Sequence, residues 1–310
     1  MKNQRIVVTG GAGFIGSHLV AELLEMGNEV VVIDTLLRGN KIPKEVFSKI
    51  EFHKVDVCDH KAVKEITKGA DLVFHFAAIL GVDIVADNPM ETMETEVNGM
   101  QSVAAAVVEN GINKLIYAST SGIYGHLAIE TSVSEDILVD PRTSYAMAKR
   151  YNEIYLASLN EEKGIDCIAL RFFNVYGLRQ DNRMVIPRFF EQSMAGEPIT
   201  VYGTGHQTRD FTYVDDAVKS SVLLAEKIKG FEIFNVANEK EETIESLAIK
   251  INKLTGSESE LKFIDAPKNR YDYEVGRRYG SSEKLEQFTG YKPTTELDFG
   301  LTKLLEKRIN

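Results

Sequence analysis

Hydrophobic and polar positions alternate between two periods along the first two thirds of the chain. Short runs rich in β-branched residues, such as RIVV at 5–8 and EVVVID at 29–34, alternate with longer segments of helical periodicity, such as FIGSHLVAELLEM at 14–26. The same pattern predicts further strands at 50–56, 71–76, 114–118 and 165–171, and helices at about 90–110 and 144–163. Strands that alternate with helices are typical of βαβ units. The chain is therefore predicted to be an α/β protein with a doubly wound parallel sheet.

The alternation of strand-like and helix-like segments becomes less regular after Asn174. Glycines and prolines punctuate residues 177–205, and a polar stretch covers 265–278. We therefore expect a sheet domain over 1–174, to which 208–236 returns, and a smaller α/β part over 175–310 that mainly binds substrate. No internal repeat or flexible linker separates them, so the second part should close over the carboxyl edge of the sheet.

Composition narrows the class of protein. The 310 residues carry a formal net charge of -10, which counts against a nucleic-acid partner because that needs a basic surface. No apolar run approaches a membrane span, and the start enters a strand directly, which predicts neither a membrane segment nor a signal peptide. Cys58 and Cys167 form no CxxC pair and the six histidines have no metal-ligand spacing, so we expect a cytoplasmic protein without a metal.

The first strand runs into a glycine-rich turn, TGGAGFIG at 9–16. Gly10, Gly13 and Gly16 allow a tight turn, close approach of the backbone to a pyrophosphate and close packing of the following helix. The first helical amides, at Phe14, Ile15 and Gly16, are placed to meet phosphate oxygens. This spacing between a strand and a helix is typical of a Rossmann-type dinucleotide site.

Asp34 ends the second strand, 18 residues after Gly16. A carboxylate at this place accepts hydrogen bonds from the adenosine ribose and repels a 2'-phosphate. The sequence thus favours NAD over NADP, although Arg38 lies close enough to weaken that preference.

A second group of residues, with side chains suited to proton transfer, follows the fifth predicted strand. SYAMAK places Tyr145 and Lys149 four residues apart at the start of a helix, on one face. An ammonium beside a phenol favours the phenolate, which is a usable base. Thr120, in STSGIYG at 119–125, supplies a hydroxyl at the end of the strand.

Taken together, these motifs resemble those of the extended short-chain dehydrogenases/reductases, specifically the NAD-dependent epimerase/dehydratase family acting on nucleotide sugars. The resemblance covers nearly the whole chain. It rests on TGGAGFIG, Asp34, Asp56-Val57, HFAA at 75–78, VNGMQSV at 97–103, STSGIYG, SYAMAK, RFFNVYG at 171–177 and RDFTYVDD at 209–216.

The resemblance implies a role for each matching residue. Tyr145 would remove the proton from a sugar hydroxyl, Lys149 would tune Tyr145 and hold the nicotinamide ribose, and Thr120 would orient the same oxygen. The remaining cofactor residues would be Asp34, Asp56 and Val57 at the adenosine end, with Phe76, Ala77, Ala78 and Asn98 along the channel. The substrate residues would be Asn174, Arg209 and Arg270 at the diphosphate, Tyr202 near the nucleotide base, and Ser121 beside Thr120.

The residues after Thr120 bear on the reaction. In the family that this chain resembles, dehydratases typically have an acid pair there and decarboxylases commonly keep the second acid, whereas this chain has Ser121 and Gly122. Without a carboxylate to move a C5 proton, the chemistry should stop at C4 oxidation and hydride return. A nucleotide-sugar 4-epimerase is the resulting prediction, with a UDP-hexose as the commonest substrate type for these motifs.

Three alternatives stay open. The protein could be a C4 dehydrogenase or reductase that releases its product. It could instead be a 4,6-dehydratase or a 3,5-type epimerase that borrows an acid such as His126 or Asp83. A cofactor sensor without turnover is the third, since fold does not guarantee function.

The resemblance also implies a homodimer. Relatives pair the helices at about 90–110 and 144–163 into a four-helix bundle, and Val107, Tyr151, Ile154 and Tyr155 are apolar positions on these two helices. The same apolar pattern fits a helix packed against its own sheet.

Overall fold

A computed structural model describes residues 1–78, 88–126, 132–265 and 275–309. Its central sheet has seven parallel strands in the order β3-β2-β1-β4-β5-β6-β9, which confirms the Rossmann-type α/β fold class. These strands are β1 (Arg5–Thr9), β2 (Glu29–Ile33), β3 (Glu51–His53), β4 (Leu72–His75), β5 (Lys114–Thr120), β6 (Asp166–Phe172) and β9 (Phe231–Val236). The strand order reverses between β1 and β4, where doubly wound sheets bind their ligands.

Helices cover both faces of the sheet. The helices of the described residues are α1 (Phe14–Glu25), α2 (Lys44–Phe47), α3 (His60–Ile66), α4 (Pro89–Glu109), α5 (Ser144–Lys163), α6 (Val185–Met194), α7 (Val214–Lys227), α8 (Ile244–Thr255), α9 (Glu283–Thr289) and α10 (Leu297–Ile309). A short 3-10 helix, η1 (Ser121–Tyr124), follows β5.

Alternation along the strands divides the core between the two faces. In β1, Ile6 and Val8 join a buried cluster with residues of α1 and α7, whereas Val7 joins a second cluster with residues of α4 and α5. Successive side chains of a strand point to opposite faces, so both layers are anchored on the same strands.

Local chemistry explains where the site helices begin and end. The Thr143 hydroxyl accepts a hydrogen bond from Ala146 N–H at the start of α5, and Gly164 ends that helix in the left-handed conformation. The predicted helix over 144–163 has these same bounds. α4 begins with Pro89 in its first turn, one residue before the predicted start.

Two small two-stranded sheets lie outside the central sheet. β8 (Thr208–Asp210) pairs antiparallel with β10 (Glu241–Thr243), and β7 (Ile199–Tyr202) pairs parallel with β11 (Leu261–Ile264). The division into domains at residue 174 stays a prediction. Within the described ranges, no helix is long and apolar enough to cross a membrane.

Candidate active site

The glycine-rich turn joins β1 to α1 at the point where β4 ends. Gly10 has φ +69°, and a Cβ there would lie 2.5 Å from Ala77 N and 2.6 Å from the Phe76 carbonyl carbon. Gly13 is the N-cap of α1, and its lack of a side chain leaves the first-turn amides without a side-chain acceptor. These first-turn amides, of Phe14, Ile15 and Gly16, form a cradle that fits a dinucleotide pyrophosphate.

Asp34 lies beside this turn. Its Oδ2 accepts from Ala12 N–H at 3.0 Å and its Oδ1 accepts from Leu36 N–H at 2.8 Å. Burial raises the pKa of the Asp34 carboxyl, and the bonds from Leu36 and Ala12 oppose that shift. The carboxylate is therefore fixed to the loop, with acceptor capacity left for ribose hydroxyls.

The end of β4 is tied to β1 through Thr9. The Thr9 hydroxyl oxygen accepts from Ala77 N–H at 3.2 Å and lies 2.8 Å from His75 Nδ1. Phe76 is buried in the core, whereas Ala77 and Ala78 are half-buried beyond it. The predicted channel segment thus begins directly opposite Gly10.

The residues after β3 lie further along the same edge. Asp56 is exposed and accepts from Cys58 N–H at 2.8 Å, while Val57 is buried. A Cβ on Gly99 of α4 would lie 2.9 Å from Val57 Cγ2, so glycine is what lets α4 approach this loop. Asn98, one residue earlier, is exposed.

Thr120 ends β5 and caps η1. Its Oγ1 accepts from Gly122 N–H at 3.1 Å, and a Cβ on Gly122 would lie 3.3 Å from that oxygen and 3.8 Å from Ala146 Cβ. STSGIYG is therefore both a turn and the edge of the site. Ser121 is buried in this turn.

A buried ion pair holds the end of β5 against α5. Glu153 accepts from Ser119 Oγ at 2.7 Å and from two nitrogens of Arg171, each at 2.9 Å. Arg171 lies on β6, and all three side chains are buried. This network fixes the strand residue next to Thr120 relative to the helix that carries Tyr145.

Tyr145 and Lys149 lie on one face of α5, as predicted. Lys149 Nζ is 5.3 Å from the centroid of the Tyr145 ring and 4.6 Å from that of Tyr117. Burial, and then the charge of Glu96, raise the pKa of Tyr145 well above its ordinary value. The structure thus brings Thr120, Tyr145 and Lys149 to one end of the sheet.

Glu96 of α4 belongs to this site and was not predicted. Its Oε2 lies 2.9 Å from Lys149 Nζ, and the two side chains are 1% and 0% exposed. The sequence did carry a signal, because Glu96 shares the apolar face of α4 with Thr92, Met100 and Val103, all of them buried.

The substrate residues predicted after β6 are held by backbone contacts. Asn174 has φ 29° and donates from Nδ2 to Asp210 O at 3.1 Å. Arg209 donates from Nη1 to the carbonyls of Thr208 and Val275, each at 2.8 Å. Asn174 therefore contacts the backbone of β8, the strand that carries Arg209.

The other predicted residues lie apart from this group or beyond the described ranges. The ring centroid of Tyr202, at the end of β7, is 4.9 Å from the guanidinium carbon of Arg188. His126 is half-buried shortly after η1. Arg270 and Asp83 lie outside the described residues.

Comparison with known proteins agrees with this geometry. Residues 6–237 match the model of the NAD dependent epimerase/dehydratase family. A UDP-N-acetyl-alpha-D-glucosaminuronate decarboxylase of Bacillus cytotoxicus is 34% identical over 98% of this chain and 97% of its own length.

Two solved structures are similar over nearly the whole chain. A UDP-N-acetylglucosamine 4-epimerase from Methanobrevibacter ruminantium, in complex with UDP-N-acetylmuramic acid, has a TM-score of 0.92 at 32% identity and covers 100% of this chain and 99% of its own. A UDP-glucose 4-epimerase of Thermus thermophilus, in complex with NAD, has a TM-score of 0.88 at 30% identity, covering 97% and 98%.

The seven-stranded parallel sheet, the glycine turn after β1 and these similarities identify an NAD-dependent enzyme of the Rossmann type. The chain belongs to the NAD dependent epimerase/dehydratase family, and its relatives and structural neighbours include enzymes that act on nucleotide sugars. Its cofactor is NAD.

Proposed function

We propose that the protein is a nucleotide-sugar 4-epimerase that takes a UDP-hexose. The observation that carries this proposal is a complete Thr120, Tyr145 and Lys149 set next to a turn without an acid. A Cβ on Gly122 would lie close to Thr120 and Ala146, at a position where the resemblance to the family implies a carboxylate, typically in dehydratases and commonly in decarboxylases. The carboxylate of Glu96 is paired with Lys149 and only 1% exposed, so it is not aimed at a sugar.

The proposed roles follow from these positions. Tyr145 takes the proton of the C4 hydroxyl, which Thr120 orients, and later returns it to the 4-keto sugar after that sugar has turned over. Lys149 supports the phenolate by its positive charge. The chemistry that NAD supplies when bound is reversible acceptance of hydride.

The diphosphate of the substrate would be held at β8. Arg209 lies on this strand and Asn174 binds its backbone, and a guanidinium suits phosphate oxygens because it offers paired donors. Arg270 is proposed to complete this clasp and Tyr202 to contact the base.

Proton NMR tests the reaction. The enzyme would be incubated with NAD and with UDP-, dTDP- or GDP-hexoses in deuterated buffer. We expect a C4 epimer without deuterium at carbon and without net NADH. Deuterium at C3, C5 or C6, or a stable keto sugar, would contradict the proposal and favour a dehydratase, another epimerase or a net C4 oxidase.

A nucleotide-sugar decarboxylase is the second candidate, favoured by the relative from Bacillus cytotoxicus. It shares the C4 oxidation step but needs a substrate with a C5 carboxylate. Release of carbon dioxide from a UDP-hexuronic acid, with no epimer formed, would establish it in place of the epimerase.

The protein is also proposed to form a homodimer through α4 and α5. Tyr151 and Ile154 are 43% and 54% exposed on α5, and Val108 is 36% exposed on α4. Pairing these faces with a second copy would cover apolar surface.

A further inference from the structure

Glu96 places a negative charge in the most enclosed part of the site. It lies on α4, whereas Lys149 and Tyr145 lie on α5, and the Glu96–Lys149 ion pair is shielded from solvent. Removing two charges from water is costly unless each remains well paired. The ion pair is nonetheless buried here, and its ammonium lies 5.3 Å from the ring centroid of Tyr145, the proposed base.

The surroundings hold the ion pair in one arrangement. Asn152 of α5 donates from Nδ2 to the Glu96 backbone carbonyl at 3.1 Å and to the Tyr117 hydroxyl at 2.8 Å. The Lys149 ammonium is surrounded by the Glu96 carboxylate and the rings of Tyr117 and Tyr145. The geometry leaves the ammonium little freedom to turn away.

We propose that Glu96 is a positioning residue of the active site, whose carboxylate fixes the Lys149 ammonium beside Tyr145 and opposes the ionisation of that tyrosine. The inference rests on the proposed function for the role of Tyr145.

The charge balance gives the direction of the effect. With Glu96 ionised and Lys149 protonated, the pair is neutral, so a phenolate at Tyr145 would leave one uncompensated negative charge. With a neutral residue at position 96, the phenolate would face the ammonium alone. A further positive charge would favour this ionisation, and oxidised nicotinamide would supply one when bound.

The other titratable groups around the cluster do not reverse this balance. They are His75 of β4, Tyr117 of β5, Glu153 of α5, and Asp56 and Cys58 before α3. Burial, and then Lys149, lower the pKa of His75 to about 3, so it is neutral. Glu153 is paired with Arg171. Burial, and then the charge of Asp56, raise the pKa of Cys58 to about 11.

The test compares Glu96→Gln with the parent. All 12 tyrosines of the sequence would be replaced by 3-fluorotyrosine. The resonance that is missing from the Tyr145→Phe spectrum is then that of position 145. Fluorine NMR then follows its ionisation with and without NAD and needs no turnover. We expect the midpoint to fall by about one pH unit in Glu96→Gln, and the acid limb of the kcat profile to move with it.

Three further variants separate charge from shape. Glu94→Gln removes an exposed carboxylate of the same helix and should shift nothing. Glu96→Asp keeps the charge and should restore the midpoint while lowering kcat. If Glu96→Gln does not fold, Glu96→Asn carries the same expectation for the midpoint.

The outcomes are distinguishable. An unchanged midpoint in a folded Glu96→Gln protein overturns this inference, and an equal loss of kcat at every pH would assign Glu96 a purely structural role. A parent enzyme that converts no nucleotide sugar refutes the proposed function instead, while the fluorine titration still decides the role of Glu96.

Discussion

Replacing Gly10 by alanine should damage both the fold and the cofactor site. The residue has φ +69°, and a Cβ would meet Ala77 N at 2.5 Å and the Phe76 carbonyl carbon at 2.6 Å. Both atoms belong to the backbone at the end of β4, so neither can turn aside as a side-chain tip would. The turn and the strand end must separate to admit one methyl group.

The expected loss in the free energy of unfolding of Gly10→Ala has two parts. An alanine in the left-handed region costs about 1 to 2 kcal/mol, and overpacking of a tight contact costs about 1 to 3 kcal/mol more. Gly10→Ala should therefore lose about 2 to 5 kcal/mol of the free energy of unfolding. Gly111→Ala is the matched control, because Gly111 has φ +65° with nothing within 4 Å of a Cβ, and it should lose only the first part.

Two measurements check this reasoning. Denaturant unfolding gives the free-energy loss of each variant, and calorimetric titration gives the Kd for NAD. We expect NAD to bind at least tenfold more weakly to Gly10→Ala and equally well to Gly111→Ala. If the two variants lost the same stability, the contact with β4 would not matter and the argument from the close approach would be refuted.

Three other perturbations test separate features. Asp34→Asn should weaken NAD binding about tenfold or more, because an amide cannot accept from two backbone N–H groups and a ribose as a carboxylate does; titration calorimetry measures the Kd, and an unchanged value refutes the role. Burial, and then Arg179, lower the pKa of His18 from 6.5 to about 4. As the pH drops, the unfolded chain therefore binds this proton before the folded protein does. The free energy of unfolding should fall between about pH 6.5 and about pH 4, by up to about 1.4 kcal/mol per pH unit. Unfolding curves across that range should show a shallower slope for His18→Gln, and an identical slope would count against it. Ile154→Glu should yield monomers by light scattering while Ile249→Glu, a 52% exposed position of α8, should leave the mass unchanged; a monomeric parent would contradict the proposed dimer.

The fold was predictable from the sequence because local signals and tertiary structure agree. The buried strands β1 and β2 coincide with β-branched runs, and α5 has a hydroxyl cap at one end and glycine at the other, so its predicted bounds match. The predicted start and end of β4 differ by one residue each, at 71–76 against Leu72–His75. Asp71 and Phe76, just outside β4, still donate backbone hydrogen bonds to Arg5 and Thr9 of β1, so the strand has no sharp end for periodicity to report.

The site was predictable only where chemistry lies in contiguous motifs. Tyr145 and Lys149 share a helical face by spacing alone, and the glycine turn lies between a strand and a helix. Glu96 was missed because PMETMETEV contains three glutamates that look like a solvated face. Only the packing of α4 against α5 distinguishes buried Glu96 from exposed Glu91 and Glu94.

The order in which the strands join the sheet has a consequence for synthesis of the chain. β6 ends at Phe172, but its outer neighbour β9 begins only at Phe231. Until β9 leaves the ribosome, β6 presents an open row of backbone donors and acceptors, flanked by apolar side chains that a foreign strand can match. A chain truncated before Phe231 would keep that edge permanently, and we expect it to aggregate although it retains the glycine turn, Tyr145 and Lys149.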